Sequence, residues 1–259
     1  MSRESTFSLQ VGERVRKVSA YASAMVSKYL SARQKLAILE PLLGDDIARV
    51  FDNSYGAHAF KTLRLTLTLD LIRDIWAFTM DSGSRAPSLK NIWSLIETKE
   101  LSAALRDTAI QPYDARDSLS EDEWTPEEIA HWRDLWSAKD KMNQGASFDR
   151  SFEKVSAVLP KFFASERATR VELARKKTIA HYDMKITKEG PKLHPLSEIG
   201  LKWDDPRLLL EELDPILWDV VLIATWGSYD REGYEYRNRL YAADFWARLQ
   251  RKPPIYDIE

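Results

Sequence analysis

Apolar residues recur three and four positions apart along most of this chain, a spacing that predicts helices rather than strands. Residues 15–30 and 32–51 read as a first helical pair, with Pro41 and Gly44 as a break or kink. Over residues 60–80, Leu63, Leu67, Leu71, Ile75 and Phe78 form one apolar stripe. The LRLTLTL alternation there also suits a strand, but the helical period continues through DLIRDIWAF and decides for helix. Asp81-Ser-Gly-Ser ends that helix, and Pro87-Ser88 opens another with Leu89, Ile92, Trp93 and Ile96 inward. Residues 108–123 read as a polar connection. Thr125-Pro126-Glu127-Glu128 is a strong helix start: a capping hydroxyl, a proline where no N–H is needed, and acids beside the positive helix end. That helix runs through residue 142 with Ile129, Trp132 and Trp136 on one side. A second helical stretch spans 147–182, with Pro160 as a kink or break. Residues 184–205, carrying two Pro and two Gly, read as a loop or short hairpin. Asp205-Pro206 starts the next helix, Asp214-Pro215 restarts it with Leu217, Val221 and Ala224 in register, and a last helix covers 232–249. The expected fold is all-α, one multi-helix domain over 1–259. Residues 108–143 are the candidate for an inserted helical arm.

Composition fits this picture. Of 259 residues, 44% are hydrophobic and 30% charged, which allows a packed core and argues against disorder. Nine glycines are few, as expected for long helices joined by short turns. The chain has no cysteine, so disulfides, thiolate nucleophiles and Cys-type zinc sites are excluded. An intracellular, cytoplasmic address fits that usage. The polar N-terminus lacks the apolar region of a secretory signal. The most apolar stretch, 216–226, is too short to span a bilayer and contains Asp219, so no membrane partner is expected.

Charge narrows the partners. A net charge of -2 argues against a general nucleic-acid coating protein. Between residues 161 and 192, however, nine basic residues face four acidic ones. An acidic chain with one basic segment can hold a phosphate polymer at a single place. The alternative for such a run is a solvated helix face.

Four histidines are present, and His58, His131 and His194 occupy ordinary positions: near a helix start, on a polar helix side, and in a loop. No HExxH or paired-His spacing occurs, so no metal site is expected. Asp70 and Asp74, one helical turn apart, have a spacing that could hold a cation, yet Arg73 and the surrounding leucines favour a structural role. His181 differs because it stands in Arg175-Lys-Lys-Thr-Ile-Ala-His-Tyr-Asp183. On an ideal α-helix Lys177 lies one turn below His181, while Arg175 lies roughly 120° off that face. The two converge only if the helix bends or ends near His181, or if two copies pack across a two-fold axis.

The segment resembles the HEPN superfamily of small helical ribonucleases and RNA-binding proteins, whose signature is Arg, four to six residues, then His. R-K-K-T-I-A-H-Y-D is similar to the R-x-K-x-x-A-H-x-D form of the abortive-infection subgroup, found in prokaryotic phage-defence and toxin systems. PSLKNIWSLI (87–96) before the motif and KWDDPRLLLEEL (202–213) after it fit the same layout. The likeness is loose over residues 15–250 and sharp over 175–183.

What the resemblance implies is a HEPN-like bundle that forms a homodimer and cleaves RNA without metal or cofactor, leaving a 2′,3′-cyclic phosphate. Arg175 and His181 would be catalytic. The imidazole exchanges protons readily near neutral pH, whereas the guanidinium stays charged and clamps phosphate. Asp183, Lys177 and Thr178 would support them, and Lys176, Arg170 and Arg167 would draw in the RNA backbone. A cognate antitoxin or defence-system partner is implied as well. Position 176 is Lys where many members carry Asn, Asp or another polar residue. HEPN toxins silenced by adenylylation place a Tyr two residues after the His; here that position is Asp183 and Tyr182 adjoins the His, so that control is not expected. The alternative is a non-catalytic HEPN-like module binding RNA or protein, with Arg175 and Asp183 in structural ion pairs and His181 satisfied at a dimer seam. Trp76, Trp93, Trp132, Trp218 and Trp226 fall on apolar stripes and are expected in the core.

Overall fold

The computed structural model describes residues 3–51, 54–110, 125–180, 184–187, 190–193, 196–227 and 229–251. Among them are nine α-helices: α1 (Arg3–Leu43), α2 (Asp45–Phe51), α3 (Gly56–Thr79), α4 (Leu89–Ile96), α5 (Lys99–Ala109), α6 (Pro126–Phe163), α7 (Glu166–Ala174), α8 (Asp205–Thr225) and α9 (Arg231–Arg251). A hairpin, β1 (Met184–Thr187) with β2 (Gly190–Leu193), pairs Met184 with Leu193 and Thr187 with Gly190. The all-α bundle and the hairpin after the motif helix are as expected.

α1 is the axis of the bundle, packing against α3, α8, α9, α4 and α5. It does not divide near residue 31. Val18, Ala22, Met25, Tyr29, Ala32, Leu36 and Leu39 are all buried at alternating steps of four and three, so the apolar stripe never loses phase. The expected break does occur at Gly44, after Pro41 in the last turn. In α3, Leu71, Ile75 and Phe78 are fully buried, but Leu63 is 40% exposed. A stride of four residues drifts about 40° per step around a helix, so Leu63 lies roughly 120° from Ile75.

Ser88 caps α4, its hydroxyl accepting from Asn91 N–H at 3.2 Å, and Leu89, Ile92, Trp93 and Ile96 are buried as anticipated. Thr125 and Glu128 form the full capping box that opens α6. α6 then runs without a break through residues 142–147, where two separate helices were expected. Gly145 does not stop it; an added Cβ there would stand 3.0 Å from Arg106 Nη2. The glycine admits α5, whose Arg106 forms paired hydrogen bonds of 2.7 and 2.8 Å to Asp149. The described side chains between residues 127 and 143 of α6 are exposed, Leu135 and Met142 among them, and residues 111–124 lie outside the described set, as do the side chains of Ile129, Trp132 and Trp136. Four residues past Pro160, Ala164 ends the helix and Ser165 caps α7.

α8 also runs on, straight through Pro215, because Leu209, Leu210, Leu213, Leu217, Val220 and Val221 form a continuous buried face against α1 and α6. Within that face sits Asp214. It accepts from Tyr29 Oη and from Trp218 Nε1 at 3.0 Å, and pairs with Arg231. Burial, then the bond to Asp214, pushes the Tyr29 phenol well above its ordinary range, so it remains a neutral donor. Asp214→Ala would leave a buried phenol and an indole N–H without their acceptor, while Arg231, nearly half exposed, keeps Glu235. We expect it to destabilise the fold by about 1–3 kcal/mol, read by urea denaturation, with Asp214→Asn losing less.

Candidate functional site

The motif arrives on α7. Ser165 Oγ accepts from Ala168 N–H at 3.2 Å, and Ala168, Val171 and Ala174 bury one face of the helix. The edge of that same face is clamped to the start of α8. Arg170 donates through Nε and Nη2, both at 3.1 Å, to the two oxygens of Asp205, and through Nη1 at 2.5 Å to Glu166. Arg167 pairs with Glu212 and lies 3.7 Å from Asp205. The Asp205 side chain is 2% exposed and also accepts Lys202 N–H at 2.8 Å. Its hydrogen bonds hold the Arg170 guanidinium above its usual value. Arg167 and Arg170 thus engage carboxylates and join α7 to α8.

At Arg175 the α-helix gives way to a π-helical turn, Arg175–Ala180, in which residues five apart are hydrogen-bonded. Such turns recur at functional sites because they reset the phase of the side chains that follow. Arg175 is half-buried, and its guanidinium lies over the Trp76 ring of α3, 4.1 Å from the centroid. Among the described residues it has no carboxylate partner. Lys176 is exposed and bonds Glu172 at 2.7 Å. Lys177 is half-buried and makes no ion pair among the described residues. The backbone of Thr178 belongs to the turn. His181 and Asp183 lie outside the described residues, as does His194.

Trp76, expected in the core, is only partly buried and forms the platform for Arg175. No sequence signal links the two, since α3 lies about a hundred positions upstream. A further group was not anticipated: Lys61, Arg64 and Leu65 of α3 face Leu201, Lys202 and Trp203 across a groove of ≈ 430 Å³. Arg64 stacks on Trp203 at 4.4 Å. The Asp70 and Asp74 carboxylates both bind Lys35 of α1, Asp74 at 2.5 Å, and Arg73 also pairs with Asp70, which makes the cluster a tie between α1 and α3. Among the described residues no group of three or more potential ligands could hold a metal ion, and no helix is long and apolar enough to cross a membrane.

The family model AbiU2 of the HEPN proteins matches residues 16–245. The chain belongs to the AbiU2 HEPN family. No curated protein and no solved structure matches it. The AbiU2 match covers the helices before and after the motif, so the abortive-infection type of HEPN fold extends far beyond the nine-residue string. In this AbiU2 chain the motif arginine lies against an aromatic face, and among the described residues no acid pairs with it. If that contact positions Arg175, a double-mutant cycle of Trp76→Ala and Arg175→Ala gives a stability coupling of about 0.5–1 kcal/mol by thermal or urea unfolding. Strict additivity would remove Trp76 from the site.

Proposed function

We propose that this chain is a metal-independent endoribonuclease acting in the cytoplasm as an abortive-infection effector. The observation that carries the reading is Arg175: a fixed guanidinium at the opening of a π-helical turn, stacked on Trp76 and bound to no carboxylate among the described residues. A cation preorganised in this way stabilises charge that develops on a phosphorane, because it needs no rearrangement as the reaction proceeds. His181, six residues on, supplies the proton exchange. One imidazole takes the ribose 2′-hydroxyl proton, the 2′-oxygen attacks phosphorus, and the bond to the 5′-oxygen breaks. A second imidazole, from the other copy in a homodimer, returns a proton to the departing oxygen. The products are a 2′,3′-cyclic phosphate and a 5′-hydroxyl. Asp183 orients and polarises His181, Thr178 supports the pair, and Lys177 adds charge towards the RNA backbone. A cognate antitoxin or another defence component would restrain the activity.

The purified chain is expected to cut single-stranded RNA in the presence of excess chelator. Arg175→Ala and His181→Ala should each lower the rate by roughly 10²-fold or more with helix content unchanged by circular dichroism. Arg175→Lys should recover only part of the loss, because an ammonium lacks the planar fork. Full cleavage by either alanine variant would remove the assignment, and RNA binding without any cleavage would favour a non-catalytic module. Sedimentation at micromolar concentration should show a dimer; a strict monomer that still cleaves would dismiss the two-copy mechanism.

A further inference from the structure

The groove between α3 and the connection into α8 is short and closed along the helix. Thr68 is the last residue of α3 to line it, and both Thr68 and Ile72, one turn further on, are fully buried. Its other wall is held in place. Leu201 is 7% exposed, and Lys202 N–H donates to the buried Asp205 at 2.8 Å. The volume, ≈ 430 Å³, falls in the range of sites for one small molecule. The hollow does not reach Trp76 and Arg175, so what it binds does not depend on the ribonuclease reading.

The lining selects the ligand. Leu65 on one wall and Trp203 on the other are large apolar side chains left 40% and 41% exposed. Open apolar surface in a concavity favours a flat ring that takes it out of water. Lys61, Arg64 and Lys202 bring three cations, and no acidic residue lines the groove. None of the three side chains has a carboxylate partner among the described residues, whereas the nearby Asp204 and Asp205 are engaged by Arg207 and Arg170. The Arg64 guanidinium lies 4.4 Å from the Trp203 ring and 5.8 Å from the Phe60 ring, and its Nε is buried with no hydrogen-bond partner. An anionic group complements such a set of cations. What the lining lacks is equally specific. Thr68 alone among these residues is polar and uncharged, and its hydroxyl already donates to the Arg64 carbonyl at 2.8 Å. No uncharged side chain is left to read the donors and acceptors at the edge of a nucleobase, so the ring that fits is apolar. We propose that the groove binds a small aromatic anion: one apolar ring carrying a carboxylate or phosphate group, the ring on Leu65, Leu201 and Trp203, the charge at Lys61 and Lys202.

Calorimetry on the full-length wild-type protein tests this with three kinds of probe. Benzoate, phenylacetate and phenyl phosphate carry ring and charge, acetate and inorganic phosphate only the charge, and benzyl alcohol only the ring. At least one of the ring-bearing anions should bind with a stoichiometry of one, about tenfold or more tightly than any probe lacking ring or charge. A preference for carboxylate or for phosphate then names the anionic group, and either supports the site. The pair Lys61→Ala and Lys202→Ala should weaken the tightest probe about tenfold, and Leu65→Asp should abolish its binding. These side chains are exposed, and unchanged melting of the ligand-free variants checks that the fold survives. Arg175→Ala should leave the affinity as it is; a loss there would place the anion at the motif and overturn the groove. The proposal also fails if no ring-bearing anion binds at millimolar concentration, if acetate or inorganic phosphate binds as tightly, or if the groove variants change nothing. AMP binding more tightly than every single-ring anion would overturn the apolar ring.

Discussion

The carboxylate of Asp205 is the constraint on which the functional face depends. It sits at the first turn of α8, almost wholly removed from solvent, and receives both arms of Arg170 and the backbone N–H of Lys202. Through Arg170 it fixes α7, and with α7 the point where the π-helical turn begins. Through Lys202 it fixes the connection that carries Leu201 and Trp203. A buried ion pair of this kind contributes less to net stability than to geometry, because desolvation offsets much of the attraction while the hydrogen-bond directions remain strict. Gly200 turns the chain beside Arg170 in the left-handed region at φ 73, a conformation that residues with a side chain rarely adopt.

The turn at Arg175 changes how the motif is to be read. The angular argument that separates Arg175 from position 181 by about 120° assumes 3.6 residues per turn. From Arg175 to Ala180 the hydrogen bonds close over five residues, so neighbours on that surface are no longer those of an α-helix. Arg175 in turn takes its place from Trp76 on another helix rather than from its own turn. Spacing in a signature of the form Arg-x(5)-His therefore specifies residue types more reliably than it specifies faces.

Much of the fold was legible because it is written locally. Ser88 and Thr125 announce helix starts through hydroxyls that reach N–H groups three residues on, and both operate as read. Local punctuation also misled. Gly145 and Pro215 look like interruptions, yet neither breaks its helix, since tertiary contacts decide: Arg106 occupies the space a side chain would need at 145, and the buried face of α8 continues past 215. The site divides similarly. Arg175 was found from its neighbours in sequence. Trp76 and the Lys61–Trp203 groove were not, because their parts come from segments about a hundred residues apart or more that only the packing of α3 against α7 and the following connection brings together.

The same division governs charge. The basic excess between residues 161 and 192 suggests an RNA surface spread along one segment, but counting charges ignores where each is neutralised. Arg167 and Arg170 face Glu212, Glu166 and Asp205, and Lys176 faces Glu172, so these cations are largely cancelled at short range. What remains without a carboxylate among the described residues is Arg175 and Lys177 in the turn, with Lys61, Arg64 and Lys202 beside the aromatic wall of Trp203. A phosphate chain responds to the field left after internal pairing, not to the formal tally. The positive charge left among the described residues therefore stands at two places, the π-helical turn and the groove beside Trp203, and a count along the motif segment includes only the first.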